Sequence, residues 1–381
     1  MSFKLFFCSL LISFLPVDFI ATSNLNLAFQ INENEKLTDL DRAEIEEFFN
    51  LQKQLGDSVW PGFGKADIPV ILYNKEWAFL AGYKNPPDGW KKVPGMNQYG
   101  KKWELVPHDK VVGWNYYRQR IDSGNTPQAF TVKVGKKWVA CITTIEWTRI
   151  KLENEIKKNM PSSQRDSLFL KMMVNYMGGN LDKHISMIIH ESFHAFQATR
   201  DFNRLQESES TFTSYKQYPW KDVSFNKAWK DEFALLIKAF ETKNESDAKQ
   251  FIKQYMQMRA KRYLDAKFTP GLIRYEQLRE WEEGIAKYLE LSLWKFVSLS
   301  SLYIPSPTLK NDPSFDQYKK FNQAMARELM TCRTQPQGDD SRFYYSGMIL
   351  AFLLDRFYSE WKMQAFDRDI FPDMLLARIV E

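Results

Sequence analysis

Residues 181–200 constrain this chain more than any other stretch. Leu181, Ile185, Ile188, Ile189, Phe193 and Phe196 recur at three- and four-residue spacing, which predicts one long helix. Its second half, Met187-Ile188-Ile189-His190-Glu191-Ser192-Phe193-His194-Ala195-Phe196, carries a single acidic residue and no Lys or Arg. A helix apolar all round must be wrapped by the rest of the protein. His190 and His194 lie four apart, on one face and about 6 Å from each other. Glu191 is rotated about 100° from His190.

That triplet points to chemistry. Two imidazoles one turn apart can grip one metal ion, and the intervening glutamate reaches a water on the ion instead of the ion itself. Zinc lowers the pKa of such a water toward about 7, and the glutamate takes its proton as it attacks a carbonyl. With four His in the chain and Glu at roughly 6%, chance supplies about 0.003 such triplets. The bland alternative is a buried helix with two hydrogen-bonded histidines and a surface glutamate. His108 and His184 have no ligand partner at a recognisable spacing, and His184 reads as a surface or N-terminal helix residue.

A catalytic zinc takes three protein ligands and keeps one position open. No histidine follows His194. A metzincin would need a histidine where Arg200 stands and a glycine at position 197, so that class is excluded. The third ligand is then a carboxylate. Asp201, Glu207 and Glu209 follow closely but lie in polar, loop-like sequence. Glu282 and Glu283 open an otherwise apolar helix, beside Gly284, where another backbone can approach. They point about 100° apart, so both cannot face one ion equally, and Glu290 shares the face of Glu283 in an outer role.

His190-Glu191-x-x-His194 followed by Glu283-Gly284-x-Ala286-x-Tyr288 resembles the gluzincin branch of zinc metallopeptidases. The resemblance implies that Glu283 is the third ligand and Glu191 the general base. Tyr344-Tyr345-Ser346-Gly347 is similar to the Tyr-x-x-Gly segment of M1 aminopeptidases, which implies Tyr344 as an oxyanion donor, with Tyr345 adjacent. It also implies a zincin-like fold whose strand edge pairs with an extended peptide. Two departures stand out. The gap from His194 to Glu283 is far longer than in thermolysin-like or M1 enzymes, which requires inserted helices. No Gly-x-Met-Glu-Asn segment anchors a substrate amino terminus.

Around this centre the chain divides near residue 147. Residues 37–55 have helical spacing; 68–73 and 77–80 are β-rich; Ala129–Val134 and Lys137–Ile142 read as a hairpin around Gly135-Lys136, the candidate strand edge. Beyond 147 the periodicity is helical over 148–159, 162–177, 181–200, 226–243, 245–267, 274–297, 316–330 and 343–365. The expected class is α+β: a small β-containing portion, 24–147, packed on a mainly helical, zincin-like catalytic portion, 148–381. Residues 1–23 read as a signal peptide, with Lys4, an apolar run from Leu5 to Leu15, and Ala21-Thr22-Ser23 as the cleavage site. The product is a secreted or periplasmic protein with no stable membrane insertion after cleavage. A net charge of +5 over 381 residues makes no case for nucleic acid. In an oxidising compartment Cys141 and Cys332 are open to pairing. The expected function is an exported zinc metallopeptidase, a hydrolase acting on peptide or protein substrates; the alternatives are a zinc amidase or other non-peptide hydrolase, and a non-catalytic binding protein on a zincin scaffold.

Overall fold

The computed structural model describes residues 35–121, 129–161, 167–177, 180–300, 303–334 and 339–380, so the expected signal peptide lies outside the described residues. The first helix, α1 (Asp39–Val59), starts where Thr38 and Asp41 form a capping box. Eight short strands follow: β1 (Val70–Tyr73), β2 (Trp77–Ala81), β3 (Trp90–Lys92), β4 (Asn97–Tyr99), β5 (Glu104–Leu105), β6 (Tyr117–Arg120), β7 (Ala129–Val134) and β8 (Lys137–Thr143). They form one mixed sheet in the order β4-β3-β7-β8-β1-β2-β6-β5. β1 runs parallel to β8, and β7 and β8 are the expected hairpin, closed at Val134↔Lys137 with Gly135 at φ +55°.

The helical portion comprises α2 (Ile145–Asn159), α3 (Leu168–Met177), α4 (Leu181–Arg200), α5 (Phe202–Glu209), α6 (Phe212–Gln217), α7 (Val223–Glu241), α8 (Glu245–Asp265) and α9 (Pro270–Arg279). A five-residue π-turn (Glu280–Gly284) leads into α10 (Ile285–Leu299), followed by α11 (Phe321–Thr334), α12 (Ser341–Phe357), α13 (Trp361–Gln364) and α14 (Pro372–Ala377). The periodicity over 274–297 is thus three elements and not one helix. The polar stretch after Arg200 is also not a loop. Asp201 caps α5 by accepting from the Arg204 amide, and the polar residues there face partners across the structure.

Strand alternation divides the sheet into two faces. Trp138, Ala140 and Ile142 of β8, with Val70 and Leu72 of β1, join the large core shared with α1, α4, α10 and α12. Ile71, Tyr73, Val139 and Cys141 form a separate cluster on the other face. α4 lies antiparallel along β8, pinned at three heights. A His184 ring nitrogen meets the Thr143 carbonyl at 3.0 Å, the Thr131 hydroxyl reaches the Glu191 carbonyl at 3.5 Å, and Phe202 stacks on Trp138 with centroids 5.2 Å apart. Ile188, Ile189 and Phe193 are fully buried between sheet and helices, each contributing about 1.5–3 kcal/mol of burial.

Two expectations change. His184 is not on the surface; it is 1% exposed, its Nδ1 2.9 Å from Glu44 on α1. Cys141 and Cys332 are separate buried thiols in different clusters. Among the described residues no helix is long and apolar enough to cross a membrane.

Candidate metal centre

The middle of α4 and the π-turn meet face to face. His190, Glu191 and His194 are all buried, as the apolar flanks of the motif require. The Oε2 atom of Glu283 lies 3.3 Å from the Nε2 atom of His190 and 3.3 Å from that of His194. Tetrahedral donors about 2.0–2.1 Å from one ion stand about 3.3–3.4 Å apart, a separation that these two distances match. The ligand-capable atoms of His190, Glu191 and His194 also lie within 4.8 Å of one another. The donor set, two imidazoles and a carboxylate, fits zinc, and these three residues could hold it.

The electrostatics agree with a place for a cation. Burial pulls both imidazoles down, yet the surrounding carboxylates, Glu283 first, outweigh it: with Glu290 they raise His190, and with Glu191 and Glu282 they push His194 up to about 10. Burial favours a neutral Glu283, but Arg279 and the two imidazoles hold it well below the usual carboxylate range. Burial raises Glu191, against the pull of His194 and His190. A divalent cation would take the place of the protons these rings otherwise hold.

Each imidazole has a partner behind it. Gln197, one turn after His194, donates its amide to the carbonyls of Trp281 at 2.8 Å and Glu282 at 3.2 Å. Its Oε1 is therefore left to accept from His194 Nδ1 at 2.8 Å, which bares Nε2 toward Glu283. One side chain thus fixes a ring and satisfies main-chain carbonyls of the π-turn. His190 Nδ1 faces the Glu290 carboxylate at 3.6 Å, and Lys287 ties Glu290 to Glu328 at 2.8 Å.

The π-turn is positioned by a glycine pair. A Cβ built on Gly284 would lie 2.4 Å from the Gly347 Cα, and one on Gly347 would lie 2.4 Å from the Glu280 carbonyl. The crossing brings Tyr344, one turn before Gly347, over the centre. Its ring stacks on His190, 6.0 Å between centroids and 3° between planes, and its hydroxyl hydrogen-bonds Glu283. Burial first, then the Glu283 charge, keeps that phenol protonated well above its ordinary pKa. Tyr345 points into the core at 4% exposure. The two adjacent tyrosines therefore have different surroundings, and Tyr344 is the one at the centre.

The other sequence candidates lie elsewhere. Glu282 is buried and accepts from Ser208 and from Arg279, and it bears on His194 through its charge. Asp201 pairs with Arg204, and Glu207 with Arg274. Glu209 bears on the site through its charge, which helps raise Glu191. His108 is exposed. β7 is not a free edge along its whole length: β3 pairs with it at Val132 and Lys133, which leaves Ala129–Thr131 open on that side among the described residues. Gln197 and Arg279 were not singled out by sequence; a glutamine three residues after a histidine and an arginine before acidic residues are both too common to signal.

The chain was compared with protein-family models, curated proteins and solved structures. It matches none of them.

Proposed function

We propose that the protein is an exported zinc-dependent metallopeptidase of gluzincin type, on a zincin-like α+β fold. One observation carries the reading: a single Glu283 oxygen stands 3.3 Å from both histidine Nε2 atoms, in a buried site beside the motif glutamate. His190, His194 and Glu283 would hold the ion.

Bound there, zinc would polarise a carbonyl and lower the pKa of a water toward about 7. The chain's own residues do the rest. Glu191, its carboxyl raised by burial, takes the proton of the attacking water and returns it to the leaving amine. Tyr344, stacked on His190 and protonated, offers its hydroxyl to the oxygen that gains charge. Gln197 and Glu290 hold the two rings at their Nδ1 sides. The open stretch of β7, Ala129–Thr131, adjoins Glu191 and suits an extended peptide adding to the sheet.

Metal analysis of purified protein beside a His190→Ala variant, with both assayed on a peptide library, tests this reading. One zinc per wild-type chain, none in the variant and peptide cleavage by the wild type alone are expected. Stoichiometric zinc with cleavage of amides but no peptides would shift the reading to a zinc amidase.

A further inference from the structure

Arg279 is the last residue of α9 and is 1% exposed. Its guanidinium bridges two of the three carboxylates of the π-turn, Glu282 and Glu283. One terminal nitrogen donates to Glu282; the other donates to Oε1 of Glu283 at 2.6 Å and faces Asp340, at the start of α12, at 3.4 Å. Glu282 is further held by Ser208. The consequence for Glu283 is specific. Oε1 is engaged by a charged donor, while Oε2 stands 3.3 Å from His190 and from His194.

We propose that Arg279 is a positioning residue that keeps Glu283 a one-oxygen ligand, and thereby keeps the fourth position of the metal open. This rests on the metal reading above. A carboxylate can bind an ion through one oxygen or two, and the second mode would crowd the position that a catalytic site leaves for water or substrate, making the ion five-coordinate while the water stays bound. A guanidinium bonded to Oε1 opposes that second mode, because the oxygen would have to leave a charge-assisted hydrogen bond to reach the ion. Through Asp340 the same guanidinium ties the ligand to the helix that carries Tyr344. Lysine cannot replace it fully, since a single ammonium lacks the planar fork that spans Glu282 and Glu283 at once.

Cobalt(II) in place of zinc reads the coordination number directly, because four-coordinate cobalt absorbs visible light far more strongly than five-coordinate cobalt. The full-length protein, the double variant Arg279→Met/Glu282→Gln (which removes one charge of each sign) and Arg279→Lys are each titrated with cobalt(II). The wild type should take one equivalent with intense four-coordinate bands. The double variant should still take one equivalent, with band intensity lower by at least about twofold as Glu283 closes onto the ion with both oxygens. If the double variant does not fold, as judged by circular dichroism, Arg279→Lys carries the test with a smaller loss of intensity. Spectra that superimpose on the wild type in the folded variants overturn the proposal. So does a five-coordinate spectrum in the wild type. A wild type that takes up no cobalt overturns the metal reading itself, a result distinct from both.

Discussion

Gly284 and Gly347 touch backbone to backbone, and a methyl group on either would collide with the main chain of the other element. This contact sets how the ligand-bearing π-turn meets the helix that carries Tyr344. Because the obstacle is backbone, relief requires moving a helix and not rotating a side chain. Gly284→Ala should destabilise the protein by about 3 kcal/mol or more, as judged by urea unfolding, and lower its zinc occupancy. Gly271→Ala, with only the Thr269 hydroxyl nearby at 3.8 Å, is the control and should be nearly neutral.

Glu191→Gln keeps the size of the side chain and removes the base. Zinc content should be unchanged, while kcat falls by roughly 10²-fold or more. A variant with wild-type turnover would remove Glu191 from the mechanism.

Glu283 and Glu282 separate ligand from neighbour. Glu283→Ala should lose bound zinc on dialysis, because two imidazoles alone cannot complete the site. Glu282→Ala should lower the unfolding midpoint, because the buried Arg279 and Ser208 lose one carboxylate partner, and retain its zinc. The reverse pattern in metal analysis would reassign the ligand.

Tyr344→Phe should lower kcat about tenfold or more with little change in KM, since an oxyanion donor acts in the transition state. Tyr345→Phe, altering a ring packed in the core, should leave both constants near wild type. Steady-state kinetics on one peptide substrate distinguish them.

A buried cluster beneath α1 gives a pH prediction. Burial, then the charges of Glu146 and Glu44, push Asp41 up from 3.8 to about 8. Its folded form therefore holds a proton that the unfolded chain releases. The resulting stability is fully present below about pH 4 and is lost as pH rises to about 8. Asp41→Asn should remove this slope, so that the variant gains on the wild type between about pH 5 and about pH 9 in urea midpoints.

Local pattern made some of this legible and long-range partnership hid the rest. α4 spans the very residues its periodicity marks, and the β7–β8 hairpin follows from two β-rich runs around Gly135-Lys136, because each is decided within a few residues. His190, Glu283 and Tyr344, which the structure brings close together, stand in three short segments; Glu283 and Tyr344 were marked only through the resemblance those segments carry. The π-turn could not, since one extra residue in a turn barely disturbs apolar periodicity across 274–297. His184 was misread for a different reason: the Glu44 that makes its burial tolerable stands on α1, far away in sequence. α5 was hidden because its polar residues are spent on partners such as Arg274 and Ala365, which composition does not announce.

The order in which the ligands occur along the chain has its own consequence. The motif on α4 is synthesised well before Glu283, and Tyr344 arrives later still, near the C-terminal end. A nascent or truncated chain ending before Ser341 holds both histidines and the base but lacks the helix whose Gly347 seats the π-turn. If the proposed activity holds, it would switch on late in the life of each molecule, once the C-terminal helices have docked. A cut in that region would switch it off again while leaving the motif itself untouched.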